Sequence, residues 1–396
     1  MNQRELFLRH VAQTSELPLM GVDMNIANAK GVVLTDVNGK KYIDLISGIS
    51  VSNIGHCHPK VVDAINLQSQ KFMHLMVYGE FNQSPQVNYA TTLLPHLPPT
   101  LNCIYFATGG SESIEGAMKL AKRVTGKTDF VSFKNSYHGS THGALSLMGD
   151  EYFKNAFRPL LPNTKQLTYN SIEELSQIGP NTAAVVLELI QAESGVKPAN
   201  EVFINEVAKI CKHHGALLIV DEIQTGFGRT GTLFAFEQYG ITPDVLCIAK
   251  GMGGGLPIGA FIADKKIMNS LSHDPVLGHI NTFGGNAVCL AAAQANLEVI
   301  LTERLWESAK KIETILTQHL QHSKIKTLSV KGAMAAVEFD NQAVNFTIIR
   351  KCLESGIITD WFLFNDRALR ICPPLNINEN LLVEALQKII SILNEE

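Results

Sequence analysis

The sequence has 396 residues, of which 45% are hydrophobic and 18% charged, and its formal net charge is -4 at pH 7. This length and composition predict a globular protein with a large buried core and room for two domains. The slight acidity argues against nucleic acid as a partner, since surfaces that bind nucleic acids are basic. The apolar stretches are too short or too interrupted for a membrane span, so we expect no membrane association.

The seven cysteines are scattered along the chain, at positions 57, 103, 211, 247, 289, 352 and 372. An odd, dispersed set without a CxxC pair does not fit a disulfide framework. The N-terminal stretch MNQRELFLRHVAQ is polar and lacks the apolar segment of a secretory signal. We therefore expect a protein of a reducing compartment, the cytoplasm.

From residue 31 onward, the hydrophobic pattern indicates a mixed α and β protein. GVVLTD (31–36) and KYIDLI (41–46) are typical of hairpin strands. Strand-like and helix-like runs then alternate in the order CIYFAT (103–108), an amphipathic stretch from Ser111, DFVSF (129–133), TAAVVLEL (182–189), EVFINEVAKICKHHG (201–215), ALLIVDEI (216–223), DVLCIA (244–249) and IGAFIAD (258–264). Apolar strands separated by helices predict an α/β fold whose mostly parallel sheet is covered by helices on both faces.

The pattern changes after Asn286. A long helical stretch leads into the short strands AAVEF (335–339), IITDWF (357–362) and ALRIC (368–372), and a last helix starts near Asn378. Short strands with flanking helices predict a second, smaller α+β unit. The hairpin strands near the N-terminus could pack with either unit, and periodicity alone does not decide between them.

Polar residues follow the apolar strands at four places: Thr108–Ser111, Glu188–Glu193, Asp221–Gln224 and Lys250. In open α/β sheets, ligands bind beyond the carboxyl ends of the strands. Burying an unpaired charge there is costly, so we expect Asp221 and Lys250 each to have a partner of opposite charge or to bind a ligand. Pyridoxal phosphate requires both residue types, because it forms a Schiff base with a lysine and needs a carboxylate beside its pyridine nitrogen.

Two further segments fit the same cofactor. ATGGSES (107–113) joins a strand to a helix, so Gly110 and Ser111 would open that helix. The free N–H groups and the dipole of a helix N-terminus bind phosphate. Tyr137 and His138, in NSYHGSTHG (135–143), offer a surface on which the cofactor ring can stack.

Two other motifs suggest different chemistry but fit it poorly. GFGRTG (226–231) matches the GxGxxG pattern of dinucleotide binding, yet it does not open a helix and lacks the strand, helix, strand unit. His56, Cys57 and His58 in GHCHP suggest a metal, but no matching set of ligands lies nearby in the sequence. We therefore predict neither a nicotinamide cofactor nor a metal site.

Four segments resemble, in order and spacing, the class III or ornithine-type aminotransferases of the fold type I pyridoxal-phosphate enzymes. They are GISVSNIGHCHPKVV (48–62), DEIQTGFGRTG (221–231), AKGMGGGLPIGA (249–260) and NTFGGNAVC (281–289). The resemblance covers nearly the whole chain. We predict a large cofactor-binding domain over residues 49–285, and a small α+β domain built from an N-terminal segment, 1–48, and a C-terminal segment, 286–396.

The resemblance implies roles for individual residues. Lys250 is the catalytic Schiff-base lysine, Asp221 pairs with the pyridine nitrogen, and Gln224 lies near the phenolic oxygen of the cofactor. Thr282 reaches the phosphate in the neighbouring subunit, which implies a homodimer with shared active sites. The implied cofactor-binding set is Gly110, Ser111, Tyr137, His138, Glu188, Asp221, Ile223, Gln224, Lys250 and Thr282.

The resemblance also implies substrate-binding residues. Arg370, in ALRICPPL, matches an arginine that binds a substrate carboxylate through its planar fork. Glu193 matches a glutamate that pairs with that arginine in ornithine-type members. Ser140 stands where the family often has an arginine for a distal carboxylate, which leaves the substrate open.

The implied reaction is a ping-pong transamination. It moves an amino group from ornithine, N-acetylornithine or another ω-amino donor to 2-oxoglutarate or pyruvate. An aminomutase or a racemase would use the same cofactor motifs, so these stay as alternatives. A catalytically inactive relative with a binding or regulatory role is a third, but it would be expected to lack Lys250 or Asp221, and both are present.

Overall fold

The computed structural model describes residues 3–12 and 24–395. The strands are β1 (Ile26–Lys30), β2 (Val33–Asp36), β3 (Lys41–Asp44), β4 (Cys103–Ala107), β5 (Asp129–Phe133), β6 (Thr164–Leu167), β7 (Thr182–Leu187), β8 (Ile190–Gln191), β9 (Lys197–Pro198), β10 (Leu217–Asp221), β11 (Val245–Ile248), β12 (Gly259–Ala263), β13 (Thr327–Lys331), β14 (Met334–Glu338), β15 (Ile357–Ile358), β16 (Asp360–Phe362) and β17 (Asn365–Ile371). The α-helices are α1 (Gln3–His10), α2 (Ser47–Ser50), α3 (Pro59–Ser69), α4 (Ser84–Leu93), α5 (Gly110–Thr125), α6 (His142–Leu147), α7 (Glu201–His214), α8 (Lys265–Met268), α9 (Ala287–Glu303), α10 (Leu305–His319), α11 (Gln342–Glu354) and α12 (Glu379–Glu395).

The large sheet, within the described residues, has seven strands in the order β4, β12, β11, β10, β7, β5, β6. Strands β11, β10, β7, β5 and β6 run parallel, whereas β12 is antiparallel to both of its neighbours. The carboxyl ends of the parallel strands therefore meet at one edge of the sheet. The predicted α/β architecture with a mostly parallel sheet is confirmed.

Successive side chains of each strand point to opposite faces of the large sheet, and both faces are buried. Val186 of β7 and Ile219 of β10 pack with α5 and α6 on one face. Val185, Leu187 and Val220 pack on the opposite face, where α7 lies. This double burial explains why the central strands are apolar at every position, with polar residues only at their ends.

The N-terminal hairpin strands pair with the C-terminal part of the chain. Strand β3 runs parallel to β15, with Ile43 opposite Ile357, and completes a sheet in the order β1, β2, β3, β15. A separate antiparallel sheet, which we call the C-terminal sheet, has the order β13, β14, β17, β16. This pairing supports assigning the N-terminal segment to the small domain, a choice that periodicity left open.

Two runs that read as continuous in the sequence are divided in the structure. The helical stretch after Asn286 is broken at Arg304, whose φ of 49° caps α9 in the left-handed region before α10 begins. The run IITDWF supplies β15 to one sheet and β16 to another.

Helix α9 packs on α3 and α4, which belong to the predicted large domain. The domain boundaries stay a prediction.

Across the described residues, no helix is both long and apolar enough to cross a membrane.

Candidate active site

A cavity of about 400 Å³ opens at the carboxyl edge of the large sheet. Its walls come from the ends of β4, β7, β10 and β11, as the strand topology requires. The lining residues are Val51, Thr108, Gly109, Gly110, Ser111, Tyr137, His138, Gly139, Glu188, Asp221, Ile223, Gln224, Thr225, Ala249, Lys250, Gly255, Leu256, Pro257 and Ile258. Nine of the ten residues predicted to bind the cofactor are in this set, and Thr282 is the exception.

Lys250 follows β11 and turns its side chain toward the cavity. Its φ of 43° lies in the left-handed region, an uncommon conformation for a residue other than glycine. Lys250 Nζ donates a hydrogen bond of 3.0 Å to Gln224 Oε1. Burial lowers the pKa of the lysine, and the charge of Arg370 lowers it further, although Glu193 acts in the opposite direction. A lowered pKa increases the share of neutral amine, the form that acts as nucleophile and base.

Asp221 is the last residue of β10 and is held by two donors. His138 Nδ1 lies 2.8 Å from Asp221 Oδ2, and the backbone N–H of Ile223 donates to Oδ1 at 3.0 Å. Burial lowers the pKa of His138, but the hydrogen bond and charge of Asp221 outweigh burial and raise it overall. The two side chains form a buried ion pair that keeps Asp221 oriented at the cavity.

Glu188 follows β7 and fixes the loop that carries Tyr137. Its Oε1 accepts from the Tyr137 N–H at 2.9 Å, and its Oε2 accepts from the Ala192 N–H at 3.1 Å. Burial raises the pKa of Glu188 to about 7. The glutamate thus acts on Tyr137 through the backbone and places the aromatic ring at the cavity wall.

Helix α5 begins at the cavity with Gly110. Its N-cap residue, Gly109, provides no side-chain hydrogen bond, so the first N–H groups of the helix are available to an anion. A Cβ on Gly110 would lie 3.0 Å from Ile223 Cδ1, which favours glycine at this position. Ser140 N–H donates to Ser111 Oγ at 3.3 Å and brings the Tyr137 loop against this helix end.

The residues around the cavity fit pyridoxal phosphate. Lys250 offers an amine, Asp221 a buried carboxylate, Tyr137 an aromatic surface, and α5 an uncapped N-terminus. Gln224 Nε2 is buried and finds no hydrogen-bond partner among the residues that the structure describes. An orphan donor beside Lys250 matches the need of a phenolic oxygen for a hydrogen bond.

Arg370, on β17, is bound by Glu193 in a bidentate pair. Arg370 Nη1 donates to Glu193 Oε1 at 2.8 Å, and Nη2 donates to Oε2 at 2.9 Å. The guanidinium also donates to Trp361 O at 2.7 Å and lies 4.6 Å from the centre of the Phe362 ring. Both partners are buried, and their charges act on Lys250. The predicted contact of Glu193 with Arg370 is present.

Thr282 is exposed, and the structure does not bring it to the cavity. Its Oγ1 lies 3.5 Å from the hydroxyl of Tyr78, at the surface. This position is compatible with a role in a neighbouring subunit, the role that the resemblance implies.

The two alternative motifs have structural explanations. In GFGRTG, Arg229 is fully buried and donates to the carbonyl groups of Ala333 and Pro373 and to Asn53 Oδ1. The motif therefore joins three parts of the chain and opens no helix. In GHCHP, His56 Nε2 lies 2.7 Å from Asp44 Oδ2. Within the described ranges, no group of three or more His, Cys, Asp or Glu side chains could hold a metal ion.

The sequence interpretation missed two kinds of residue at the site. Val51 and Leu256–Ile258 line the cavity, but nothing in their local pattern distinguishes them from core residues. Asp360 lies 3.0 Å from Arg370, and its sequence neighbours indicated only a strand. Asp360 meets Arg370 because of the register between β16 and β17, and the sequence of one strand does not reveal that register.

Fold and site together define a pyridoxal-phosphate-dependent enzyme of fold type I. The family model for class III aminotransferases matches residues 17–393, and the chain belongs to this family. It is therefore a pyridoxal-phosphate-dependent aminotransferase, which acts on an amino-acid substrate and a 2-oxo acid.

Curated relatives span nearly the whole chain. It is 37% identical over 373 residues to the acetylornithine aminotransferase of Bacillus subtilis (strain 168), covering 93% of this chain and 94% of that protein. It is 35% identical to the acetylornithine aminotransferase of Methanopyrus kandleri, covering 99% of each.

Solved structures agree with the fold. An ornithine aminotransferase from Toxoplasma gondii superimposes with a TM-score of 0.89 at 27% identity, covering 98% of this chain and 93% of that one. An (S)-enantioselective ω-transaminase from Thermomicrobium roseum gives a TM-score of 0.90 at 28% identity, covering 99% of each.

Proposed function

We propose that this aminotransferase moves the terminal amino group of an ω-amino acid of the ornithine or N-acetylornithine type to a 2-oxo acid, by a ping-pong mechanism. The observation that carries the proposal is the bidentate pair of Glu193 and Arg370. A donor that presents its amine end places no carboxylate at this arginine, and Glu193 then neutralises the buried guanidinium. The curated relatives named acetylornithine aminotransferase support the donor class.

Lys250 is the proposed catalytic base. Bound pyridoxal phosphate would supply an electron sink for the carbanion at the substrate carbon. Lys250 Nζ would take the proton from that carbon and pass it to the bound cofactor in the same half-reaction, and in the second half it would carry a proton in the opposite direction. Gln224, 3.0 Å from Nζ, orients the amine in the absence of substrate.

Asp221 is the proposed electrostatic partner of the pyridine nitrogen. His138, at 2.8 Å, fixes the direction of its carboxylate and balances part of its charge. Because both side chains are buried, the pair needs no rearrangement when the reaction begins. Gly110 and Ser111 would bind the phosphate at the start of α5, and Tyr137 would lie against the ring.

Arg370 is proposed to bind the carboxylate of the 2-oxo acid once Glu193 has moved away. A planar guanidinium suits a carboxylate, and the exchange replaces one carboxylate by another, so the buried charge stays balanced. Ser140, in the loop beside Ser111, offers a hydroxyl and no positive charge. Apart from Lys250, the described lining of the cavity contains no lysine or arginine. An acceptor with one carboxylate, such as pyruvate, fits this arrangement better than 2-oxoglutarate.

We propose a homodimer as the working form. An exposed apolar surface, which we call the 73–81/277–283 patch, contains Met73, Leu75, Met76, Phe81, Leu277, Ile280 and Phe283. His74 and Phe283 are in ring contact at 5.1 Å, and Asn286 Nδ2 donates to Met73 O at 3.0 Å, so the two segments adjoin. A contiguous apolar surface of this kind favours a protein partner. A second copy covering it would bury Thr282, which lies within the patch.

The seven cysteines are all free thiols. Together with the composition, this supports a cytoplasmic location, which we propose for the protein.

A panel of amine donors tested against pyruvate and against 2-oxoglutarate checks the proposal. We expect the terminal amine of ornithine or N-acetylornithine to be transferred, with alanine formed faster than glutamate. Isomerisation of the donor without any acceptor would instead indicate an aminomutase or a racemase. Transfer only from amines without a carboxylate would contradict the donor class.

A further inference from the structure

Asp360 lies directly across from Arg370 in the C-terminal sheet. Strands β16 and β17 are antiparallel, and their register pairs Asp360 with Arg370. Asp360 Oδ1 lies 3.0 Å from Arg370 Nε, and both side chains are largely buried. Opposite charges on directly paired residues attract across such a ladder.

The contact of Asp360 differs in kind from that of Glu193. Glu193 takes both terminal nitrogens of the guanidinium in aligned hydrogen bonds. Asp360 Oδ1 and Arg370 Nε are at ion-pair distance but are not aligned for a hydrogen bond, and neither atom has another hydrogen-bond partner among the described residues. Asp360 therefore acts on Arg370 mainly through its charge.

The Arg370 guanidinium thus lies at ion-pair distance from two carboxylates, those of Glu193 and Asp360. Burial raises the pKa of Asp360 to about 6, with Arg370 opposing this shift and Glu193 and Asp44 adding to it. At pH 8 the Asp360 carboxyl is ionised, and the group formed by Arg370, Glu193 and Asp360 carries a net charge of about -1.

Asp360 and Glu193 are held by different parts of the fold. Asp360 is fixed by the β16–β17 register, whereas Glu193 lies in the turn that follows β8. A substrate carboxylate that replaces Glu193 therefore meets a guanidinium whose charge is already shared, and it also meets the negative charge of Asp360.

We propose that Asp360 is a specificity-determining residue that weakens the binding of substrate carboxylates to Arg370, so that the acceptor exchanges readily with Glu193. This inference rests on the proposed function, in which Arg370 binds the 2-oxo acid. It goes further by assigning the affinity of that site to a second carboxylate on the neighbouring strand.

The comparison of Glu193→Gln with the double variant Glu193→Gln/Asp360→Asn tests the proposal. Glu193→Gln removes the carboxylate that competes for Arg370 and that is repelled by the same charge, and Asp360→Asn then keeps the size of the side chain and removes its charge. Two unit charges about 5 Å apart, in surroundings between water and protein interior, predict that the inhibition constant of propionate, a carboxylate without a reactive carbonyl, is about tenfold lower in the double variant. The KM for pyruvate should fall by the same factor. With Glu193 in place, Asp360 acts on both competing carboxylates, so Asp360→Asn alone should change propionate binding much less.

The pH dependence provides a second measurement. Asp360 is faced by Arg370, Glu193 and Asp44. A carboxyl with a raised pKa loses its charge as the pH falls through that value. The difference in propionate binding between Glu193→Gln and the double variant should be full at pH 8 and should shrink at pH 5.5.

Asp366→Asn is the matched control. It makes the same chemical change in the same hairpin, and within the described residues the Asp366 carboxylate has no hydrogen bond or ion pair, while its backbone oxygen accepts from Asn345 Nδ2. It should leave propionate binding unchanged. Unfolding temperature and cofactor absorbance show that each variant is folded and loaded.

Arg370→Gln separates the two levels of inference. If this variant binds propionate as tightly as the natural enzyme, the proposed role of Arg370 is wrong. If it loses propionate binding while the double variant binds propionate no more tightly than Glu193→Gln, only the role of Asp360 is wrong. Weaker propionate binding in the double variant than in Glu193→Gln would also overturn the inference, because Asp360 would then merely position Arg370.

Discussion

His138 Nδ1 lies 2.8 Å from Asp221 Oδ2, and both side chains are almost completely buried. Asp221 ends a central strand, and His138 lies in the loop after β5, so the pair links two strand ends of the large sheet. The histidine lies at hydrogen-bond distance from a buried carboxylate that lines the cavity. The contact holds the Asp221 carboxylate in one orientation.

Replacing His138 should weaken cofactor binding. His138→Phe removes this contact and leaves the Ile223 N–H as the remaining hydrogen-bond donor to Asp221 among the described residues. A hydrogen bond to a charged group is worth about 1.5–3 kcal/mol, which predicts a rise in the dissociation constant of pyridoxal phosphate by roughly 10- to 100-fold. Titration of the protein with cofactor, followed by visible absorbance, measures this. An unchanged constant would show that Asp221 needs no histidine.

Lys250→Ala should abolish turnover while the protein still binds the cofactor. The variant loses both the covalent anchor and the proton carrier, and general acid and base catalysis alone contributes about 100- to 10,000-fold. Single-turnover rates with the best donor of the panel provide the measurement. Lys209→Ala, a change at an exposed lysine of α7, is the control and should keep full activity. Normal turnover in Lys250→Ala would refute the role of this residue.

Ser140→Arg should improve the use of 2-oxoglutarate. The loop of Ser140 lies against Ser111 and beside Tyr137, whose hydroxyl is 3.2 Å from Ser140 Oγ. A guanidinium there would offer a partner to a distal carboxylate, and a gain of about tenfold in kcat/KM corresponds to about 1.4 kcal/mol. The rate with pyruvate should stay the same. Ser140→Gln, with a similar length and no charge, is the control and should show no gain.

Phe283→Asp should dissociate the dimer at low protein concentration. Phe283 is 57% exposed and lies in the 73–81/277–283 patch, so a carboxylate there would be buried without a partner in the proposed interface. Sedimentation velocity should show a monomer. Titration with pyridoxal phosphate should show weaker cofactor binding, because Thr282 would no longer reach the partner subunit. Val202→Asp, at an exposed apolar residue of α7, is the control. A natural protein that sediments as a monomer would contradict the proposed interface.

Glu222 should make the stability of the protein depend on pH. Its carboxylate accepts from Thr225 Oγ1 at 2.6 Å and from the Phe236 N–H at 2.7 Å, and burial raises its pKa to about 7. The folded state thus holds a proton that the unfolded state releases between about pH 4.5 and 7, so stability falls as the pH rises through this range. The contribution is at most about 3 kcal/mol.

Glu222→Gln should flatten this dependence. The free energy of unfolding, measured with urea at several pH values, should fall less steeply with rising pH in the variant than in the natural protein. Parallel curves for the two proteins would show that Glu222 titrates alike in the folded and unfolded states.

Much of the large domain could be predicted because its signals are local. The strand that ends at Asp221 and the strand that ends at Lys250 are apolar throughout, and each has its polar residue at the carboxyl end. Parallel strands place those ends at one edge, and nine of the ten residues that the resemblance implies for cofactor binding line a common cavity there. The run IITDWF shows the limit, since it divides between two sheets with no local mark of the division.

The sequence by itself indicated the cofactor, because a lysine, an aspartate and a glycine-led helix start are each recognisable within a few residues, and its resemblance to class III aminotransferases indicated the class of reaction. Only the tertiary structure decided that β3 pairs with β15, that Thr282 points to the surface, and that Asp360 shares Arg370 with Glu193. Those relationships depend on strand register and on contacts between distant segments. A shift of one residue in register would turn a side chain to the opposite face of the sheet, and no local pattern encodes the partner that it meets.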